Sequence, residues 1–439
     1  MRRALDILSS LRLTVILLGL GILLIFLGTL AQVHEGTWKA QKMYFQSWVI
    51  LKPMIYHRTW PVALPGGYLV GTVLLVNLVL AHFRGANWSQ RNVSQVLVHH
   101  GILLALVFAA TWIAVRNPFV GMALFTVLLA ADLWISRKGP LKETYTGKKL
   151  GINFTHLGVV MLLLGQLATD QLAQESHIRF REGETRSYSE VARENELAII
   201  RDVGPDREEV VSIPEHLVAK RGDIRHEKLP FVVRVKEYGV NCSVRARGPV
   251  VDTAPPPATQ GVGARAVVEP LPETTDPDRQ NTPYAIIELL RGNESLGTWL
   301  VAMGWLDEQE VKIGDQIWRL IFRPERAYRP FSLTLLKFTH DIYPGTDTPR
   351  DFRSRVRLED PATRENREVD IFMNNPLRYG GVTFYQASFD PRDPHVTVLQ
   401  VVKNPSWLTP YFGCGAVGYG LARHFLYYLI AFIVKRRKA

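Results

Sequence analysis

Apolar residues in this chain gather into six long runs, roughly 11–32, 67–83, 96–115, 119–135, 152–170 and 407–434. Each is close to the ~20 residues that a helix needs to cross a bilayer core. Between the fifth and sixth runs the pattern changes: short β-branched or aromatic stretches alternate with polar residues. Examples are LAIIR from Leu197, FVVRV from Phe231, YAIIELL from Tyr284, WRLIF from Trp318, FSLTLLKF from Phe331, VTFYQASF from Val382 and VTVLQVV from Val396. Turns rich in Gly, Pro, Asp and Asn separate them, as in an antiparallel β domain. The expected fold is a multi-pass α-helical membrane protein of about six spans with a large antiparallel all-β extracytoplasmic domain. A membrane domain of five helices covers 1–171, the β domain covers 172–404, and a last helix with a basic tail covers 405–439. Residues 253–283 are rich in proline and short of large apolar side chains, which predicts a long loop or disordered insertion.

The mean hydropathy of +0.02 averages these two materials. The net charge of +11 over 439 residues would suggest nucleic acid, but the basic residues sit at the ends of the apolar runs. Arg2, Arg3 and Arg12 lie at the first run, Arg84 and Arg91 follow the second, and Arg137, Lys138, Lys142, Lys148 and Lys149 separate the fourth and fifth. Lys435 to Lys438 end the sequence. The positive-inside rule accounts for all of them with both termini cytoplasmic and the β domain outside, in contact with the bilayer and not with nucleic acid. The first run is expected to be a retained anchor rather than a cleaved signal. The aromatic-rich loop 34–65 reads as an interfacial segment.

The two cysteines, Cys242 and Cys414, fall in different parts of the chain, so no disulfide is expected between them. No Cys-x-x-Cys-His occurs, so the chain carries no covalent haem of the c type. No nucleophile motif, phosphate loop or paired outward-facing carboxylates appear, hence no self-contained active site. Of twelve histidines, His34, His57, His177, His216, His226, His340 and His395 are expected at the surface.

His82, His99, His100, His156 and His424 lie in or at the ends of spans. An ionisable side chain there is costly and is by default a functional hypothesis; imidazole is also the usual protein ligand of haem iron. His99 and His156 share a local pattern, each two residues before a glycine. For His156 a haem ligand and a hydrogen-bonded interfacial histidine are equally open, whereas His82 reads as interfacial. Arg423 and His424 lie too deep for easy snorkelling. The guanidinium needs an anion: a haem propionate, a carboxylate of a partner subunit, or Asp132 of the fourth run.

Four segments then resemble the ResB family, also called CcsB: Gly28–Ile50 (GTLAQVHEGTWKAQKMYFQSWVI), Gly151–Glu190 around His156, Gly380–Asp390 (GGVTFYQASFD) and Val396–Phe425 (VTVLQVVKNPSWLTPYFGCGAVGYGLARHF). TFYQAS is the sharpest. The resemblance implies System II cytochrome c biogenesis in a bacterial cytoplasmic membrane. With a CcsA-type haem-handling partner, such a subunit exports haem b in transit for covalent attachment to apocytochrome c. It also implies that His156 is an axial ligand of the haem iron and that the partner supplies the other. The tryptophan-rich motif of CcsA is not present, so the chain would be one subunit of a synthase. The family's common form has four spans; here the hairpin 96–135 is extra and brings His99 and His100 with it. A membrane cytochrome with haem held by His99 and His156, and a scaffold that touches no haem, are the alternatives.

Overall fold

The computed structural model describes residues 2–51, 54–55, 58–59, 62–85, 93–138, 145–204, 207–248, 255–274, 280–342, 349–390 and 392–437. They form two units, 1–173 with 404–439, and 174–403.

All six apolar runs are helical: α1 (Leu11–Glu35), α2 (Gly67–Gly85), α3 (Val93–Arg116), α4 (Pro118–Lys138), α5 (Tyr145–Leu172) and α6 (Thr409–Arg436). Within the described residues, α1, α5 and α6 contain apolar stretches long enough to cross a membrane. The apolar stretches of α2, α3 and α4 are shorter, at Gly67–Ala81, Gly101–Ala114 and Phe119–Trp134. This is a membrane protein, and three of its expected spans meet the length criterion. The side chain of Ser10 accepts from the amide of Leu13 and caps α1. Asn77 of α2 donates to the carbonyls of Leu8 and Ser10 while Thr14 donates to its side-chain oxygen at 2.6 Å, tying the two helices together.

α5 and α6 run antiparallel along a seam of small residues. A Cβ added at Gly151 would lie 2.7 Å from the carbonyl oxygen of Gly420, and one at Gly158 would lie 2.6 Å from that of Gly413. Gly165 meets Thr409 in the same way. Only glycine allows two backbones this near, which is how spanning helices pack when no water drives them together. The side-chain amide of Asn404 donates to Thr169 at 3.2 Å, so the chain re-enters the unit at the end where α5 leaves it.

The other unit is antiparallel throughout. Its strands are β1 (Gln174–Arg181), β2 (Thr185–Gly204), β3 (Arg207–Pro214), β4 (Gly222–Ile224), β5 (Val232–Gly239), β6 (Cys242–Ala246), β7 (Ala266–Pro270), β8 (Tyr284–Arg291), β9 (Glu294–Ala302), β10 (Gln309–Ile313), β11 (Gln316–Ile342), β12 (Pro349–Asp360), β13 (Glu365–Phe372), β14 (Leu377–Tyr379), β15 (Val382–Asp390) and β16 (Asp393–Lys403). Ten of these form one sheet in the order β13-β12-β11-β2-β1-β16-β15-β14, with β10 added to β11 and β3 to β2. A second sheet runs β9-β8-β5-β4. The first half of β11 (Trp318, Leu320, Phe322) serves a core shared with β5 and β8. Its second half (Leu333, Leu335, Phe338) serves another with β1, β12 and β16.

Three expectations are corrected here. WRLIF and FSLTLLKF are one strand, because the intervening RPERAYRP stays extended. Pro324 lies at one break in the β11–β2 register, and Pro330 falls within a second, where it needs no ladder donor. The region 253–283 is not simply disordered: residues 255–274 are described, and β7 within them pairs with β6 from Cys242↔Pro270 to Ala246↔Ala266. Its core is built of small side chains, Ala258 and Ala266, against Leu300, which is why hydrophobic patterning underrates it. His340 is not a simple surface residue but stacks on Phe352, with centroids 4.7 Å apart, and on Phe389.

Candidate functional site in the membrane unit

The residues singled out on α3, α5 and α6 can be placed against the seam. Gly151, Thr155, Gly158 and Gly165 face α6. At 3.6 residues per turn, His156 then lies roughly 140° around α5 from that line. It shares its face with Leu163, Leu167 and Asp170, which line a cavity against α2. His156 is half-buried and its Nδ1 is shielded from solvent. His424 is half-buried too, with its ring 4.9 Å from that of Tyr428. A Cβ on Gly151 would lie 2.9 Å from the His424 Cβ, so this histidine is on the seam side. His156 and His424 therefore occupy different sides of α5. α3 includes His99 and His100, but their side chains, like that of His82, lie outside the described residues.

Arg423 is fully buried, and its Nε donates to Oδ2 of Asp132 at 2.8 Å. Of the anions open to it from the sequence, the structure places the α4 carboxylate there. Phe125, Phe154 and Tyr419 pack as an aromatic cluster one turn away. A buried pair of this kind draws α4 and α6 together, and either charge alone would be expensive in an apolar unit.

Patterning gave no reason to single out Asp170 at the C-terminal end of α5. Its carboxylate accepts from the side-chain amide of Gln46 and from the hydroxyl of Tyr68, and Gln171 donates to that hydroxyl at 2.9 Å. The missed signal was a carboxylate closing an apolar run that also holds Gln166 and Gln171. The glycine seam was also legible, since Gly151, Gly158 and Gly165 recur every seven residues, as do Gly413 and Gly420. Among the described residues no group of three His, Cys, Asp or Glu could hold a metal ion. A half-buried imidazole on an apolar helix face is of the chemical type that can hold haem iron.

A membrane protein with three long apolar helices and a large antiparallel β unit is the class that fold and site define. Within it, residues 313–406 match the profile of the ResB-like family, so the resemblance read from the sequence is borne out over β11 to β16. Protein NrfI of Wolinella succinogenes is 37% identical over 117 residues, which is 27% of this chain and 12% of that protein. The chain therefore aligns with only a small part of that relative. The solved structure of Cytochrome c Heme Lyase CcmF matches 81% of this chain and 39% of its own at 12% identity. With a TM-score of 0.22, that match supports no conclusion about shared structure.

Proposed function

We propose that the protein is a haem-handling subunit of cytochrome c biogenesis of the System II kind. It would act with a CcsA-type partner to deliver haem b outward for attachment to apocytochrome c. The observation that carries this reading is the ResB-like match across residues 313–406. Support comes from the half-buried imidazole of His156, on a helix long and apolar enough to span. In this proposal all six helices cross a bacterial cytoplasmic membrane, with both termini inside and 174–403 outside. When bound, haem supplies the iron and the groups that are joined to apocytochrome c.

The chain's own contribution begins at His156, whose ring would hold the haem iron from within the membrane. With its Nδ1 shielded, Nε2 is the nitrogen assigned to the iron. The partner would supply a further ligand. The seam holds α5 rigidly, so the imidazole is presented at a fixed depth, while the Asp132–Arg423 pair fixes α6 against α4. His99 and His424 enter the proposal as secondary positions beside the haem, and Arg423 as a positioning residue.

Removing an axial imidazole leaves the iron one ligand short while the pocket survives, so added imidazole should restore part of what is lost. His156→Gly, purified with the partner, is expected to lose most bound haem and most cytochrome c maturation, and to recover part of both in imidazole. His99→Gly and His424→Gly should keep both. Loss at His99 with retention at His156 would move the site to the hairpin α3–α4. Haem bound by two histidines in the lone subunit would favour the membrane cytochrome.

A further inference from the structure

The cavity on the His156 face of α5, about 260 Å³, has a divided lining. Its outer end gathers Asp170, Tyr68, Gln41, Gln46 and Gln166. Its deeper end is apolar, walled by Leu75 of α2 and by Leu163 and Leu167 of α5. Leu75 and Leu163 each lie seven residues, or about 10 Å of helix rise, deeper than Tyr68 and Asp170. On the α2 side Gly71 leaves open space where a side chain would stand, while Gly67 packs against the backbone of Phe45. Trp48 packs at the rim, its ring centroid 6.0 Å from that of Tyr68.

We propose that this cavity receives the head ring of a membrane quinone or quinol, its isoprenoid tail following the apolar groove between α2 and α5. Among the described residues no Lys, Arg or His lines the cavity, so none of them there matches a phosphate or a propionate. The polar groups include both donors and acceptors: Tyr68 and the glutamine amides donate, Asp170 and the amide oxygens accept. That suits a ring whose oxygens accept as carbonyls in one redox form and donate as hydroxyls in the other. Tyr68 and Gln46 already donate to Asp170, so a lipid ammonium would compete with them for the carboxylate, whereas the amides of Gln41 and Gln166 can meet a ring oxygen in either role. A flat ring lies readily against the backbone bare at Gly71, and a few convergent polar groups over an apolar pocket are the usual build of a small-molecule site. The site needs neither haem nor His156, so it stands or falls apart from the haem proposal.

The test uses the full chain in phosphatidylcholine nanodiscs, without haem, titrated with decylubiquinone while tryptophan fluorescence is read against Trp48→Phe. Saturable quenching assigned to Trp48 is expected. Gly71→Leu should weaken it at least tenfold; a Cβ at Gly71 meets nothing within 4 Å, so the added side chain fills the groove without displacing packed atoms. Leu163→Phe narrows the groove from α5 and should act in the same direction if Gly71→Leu lowers the thermal midpoint. Asp170→Asn should weaken competition by decylubiquinol more than binding of decylubiquinone, because it removes the anionic acceptor. Quenching that is unsaturable, or equal in wild type, Gly71→Leu and Leu163→Phe, overturns the proposal. So does displacement of decylubiquinone when phosphatidylethanolamine replaces part of the nanodisc lipid, which would assign the cavity to a lipid amine.

Discussion

At Arg423 the cost of burial sets the behaviour of the whole last helix. The guanidinium and Asp132 are both almost fully shielded. Removing one partner strands the other, at ~3–5 kcal/mol. Arg423→Leu and Asp132→Leu should each lower thermal stability in detergent by that order, while the double replacement recovers most of the loss. If the double variant is as unstable as either single one, the charges are not acting as a pair. If it is stable but loses haem in the complex, Arg423 does more than hold α6. Cys242 gives a second test. It is buried in the β unit, and burial raises its thiol pKa to about 11. A free cysteine near pH 8 is about one quarter thiolate, and one titrating at 11 roughly a thousandth, so folded Cys242 should react with maleimide at least ~100-fold more slowly than after unfolding. The gap should narrow as pH rises toward 11; equal rates in the folded and unfolded chain would show that the site is open. The sequence allowed Arg423 three anions, and only the fold could choose, because Asp132 is 291 positions away.

The close approach of α5 and α6 makes their glycines unequal to others in the unit. Gly158→Val would drive a side chain into the backbone at Gly413 and the Val417 side chain, and overpacking of this kind costs ~1–3 kcal/mol. Gly19→Ala and Gly21→Ala meet nothing within 4 Å and should be neutral or stabilising by up to ~1 kcal/mol through helix propensity. Thermal unfolding of all three in one detergent separates the cases, and similar shifts at Gly158 and Gly21 would argue against the seam. Helices and most strands were legible because period and length are local properties. The register of TFYQAS was not. Ser354 donates to the side-chain oxygen of Gln386 at 2.6 Å, and the side-chain amide of Gln386 donates to Thr397 at 2.9 Å. β12, β15 and β16 meet there at a bulge between Gln386 and Ser388. The sharpest segment of the resemblance thus holds a hydrogen-bonded knot in the β unit. Strand β7 escaped for the opposite reason: AVVEP is short, follows three prolines and brings only a small side chain, Ala266, fully into its core.

At the scale of the whole molecule, the charge pattern predicts a direction and the helical packing fixes which ends lie together. α5 and α6 are antiparallel neighbours, with Gly151 opposite Gly420 and Gly158 opposite Gly413, so the chain leaves and returns at the same end of the pair. The basic clusters lie after α2, between α4 and α5, and after α6. With every helix crossing, all three fall on one side and residues 174–403 on the other, which is the arrangement the positive-inside rule favours. The apolar stretches of α2, α3 and α4 are shorter than those of the other three helices, which makes their crossing the point to test. Reporter fusions after Gly85, Asn117, Lys149 and Glu190 resolve it helix by helix. Cytoplasmic signals are expected at Gly85 and Lys149, and external ones at Asn117 and Glu190. If Asn117 reports the cytoplasm while Lys149 and Glu190 still differ, α3 and α4 form a hairpin that enters without crossing. The extra pair would then be an insertion packed on α6 rather than two further spans, and His99 would lose its claim to a site within the membrane. If Lys149 and Glu190 report the same side, α5 does not cross, and the assignment of His156 as a ligand held within the bilayer falls with it.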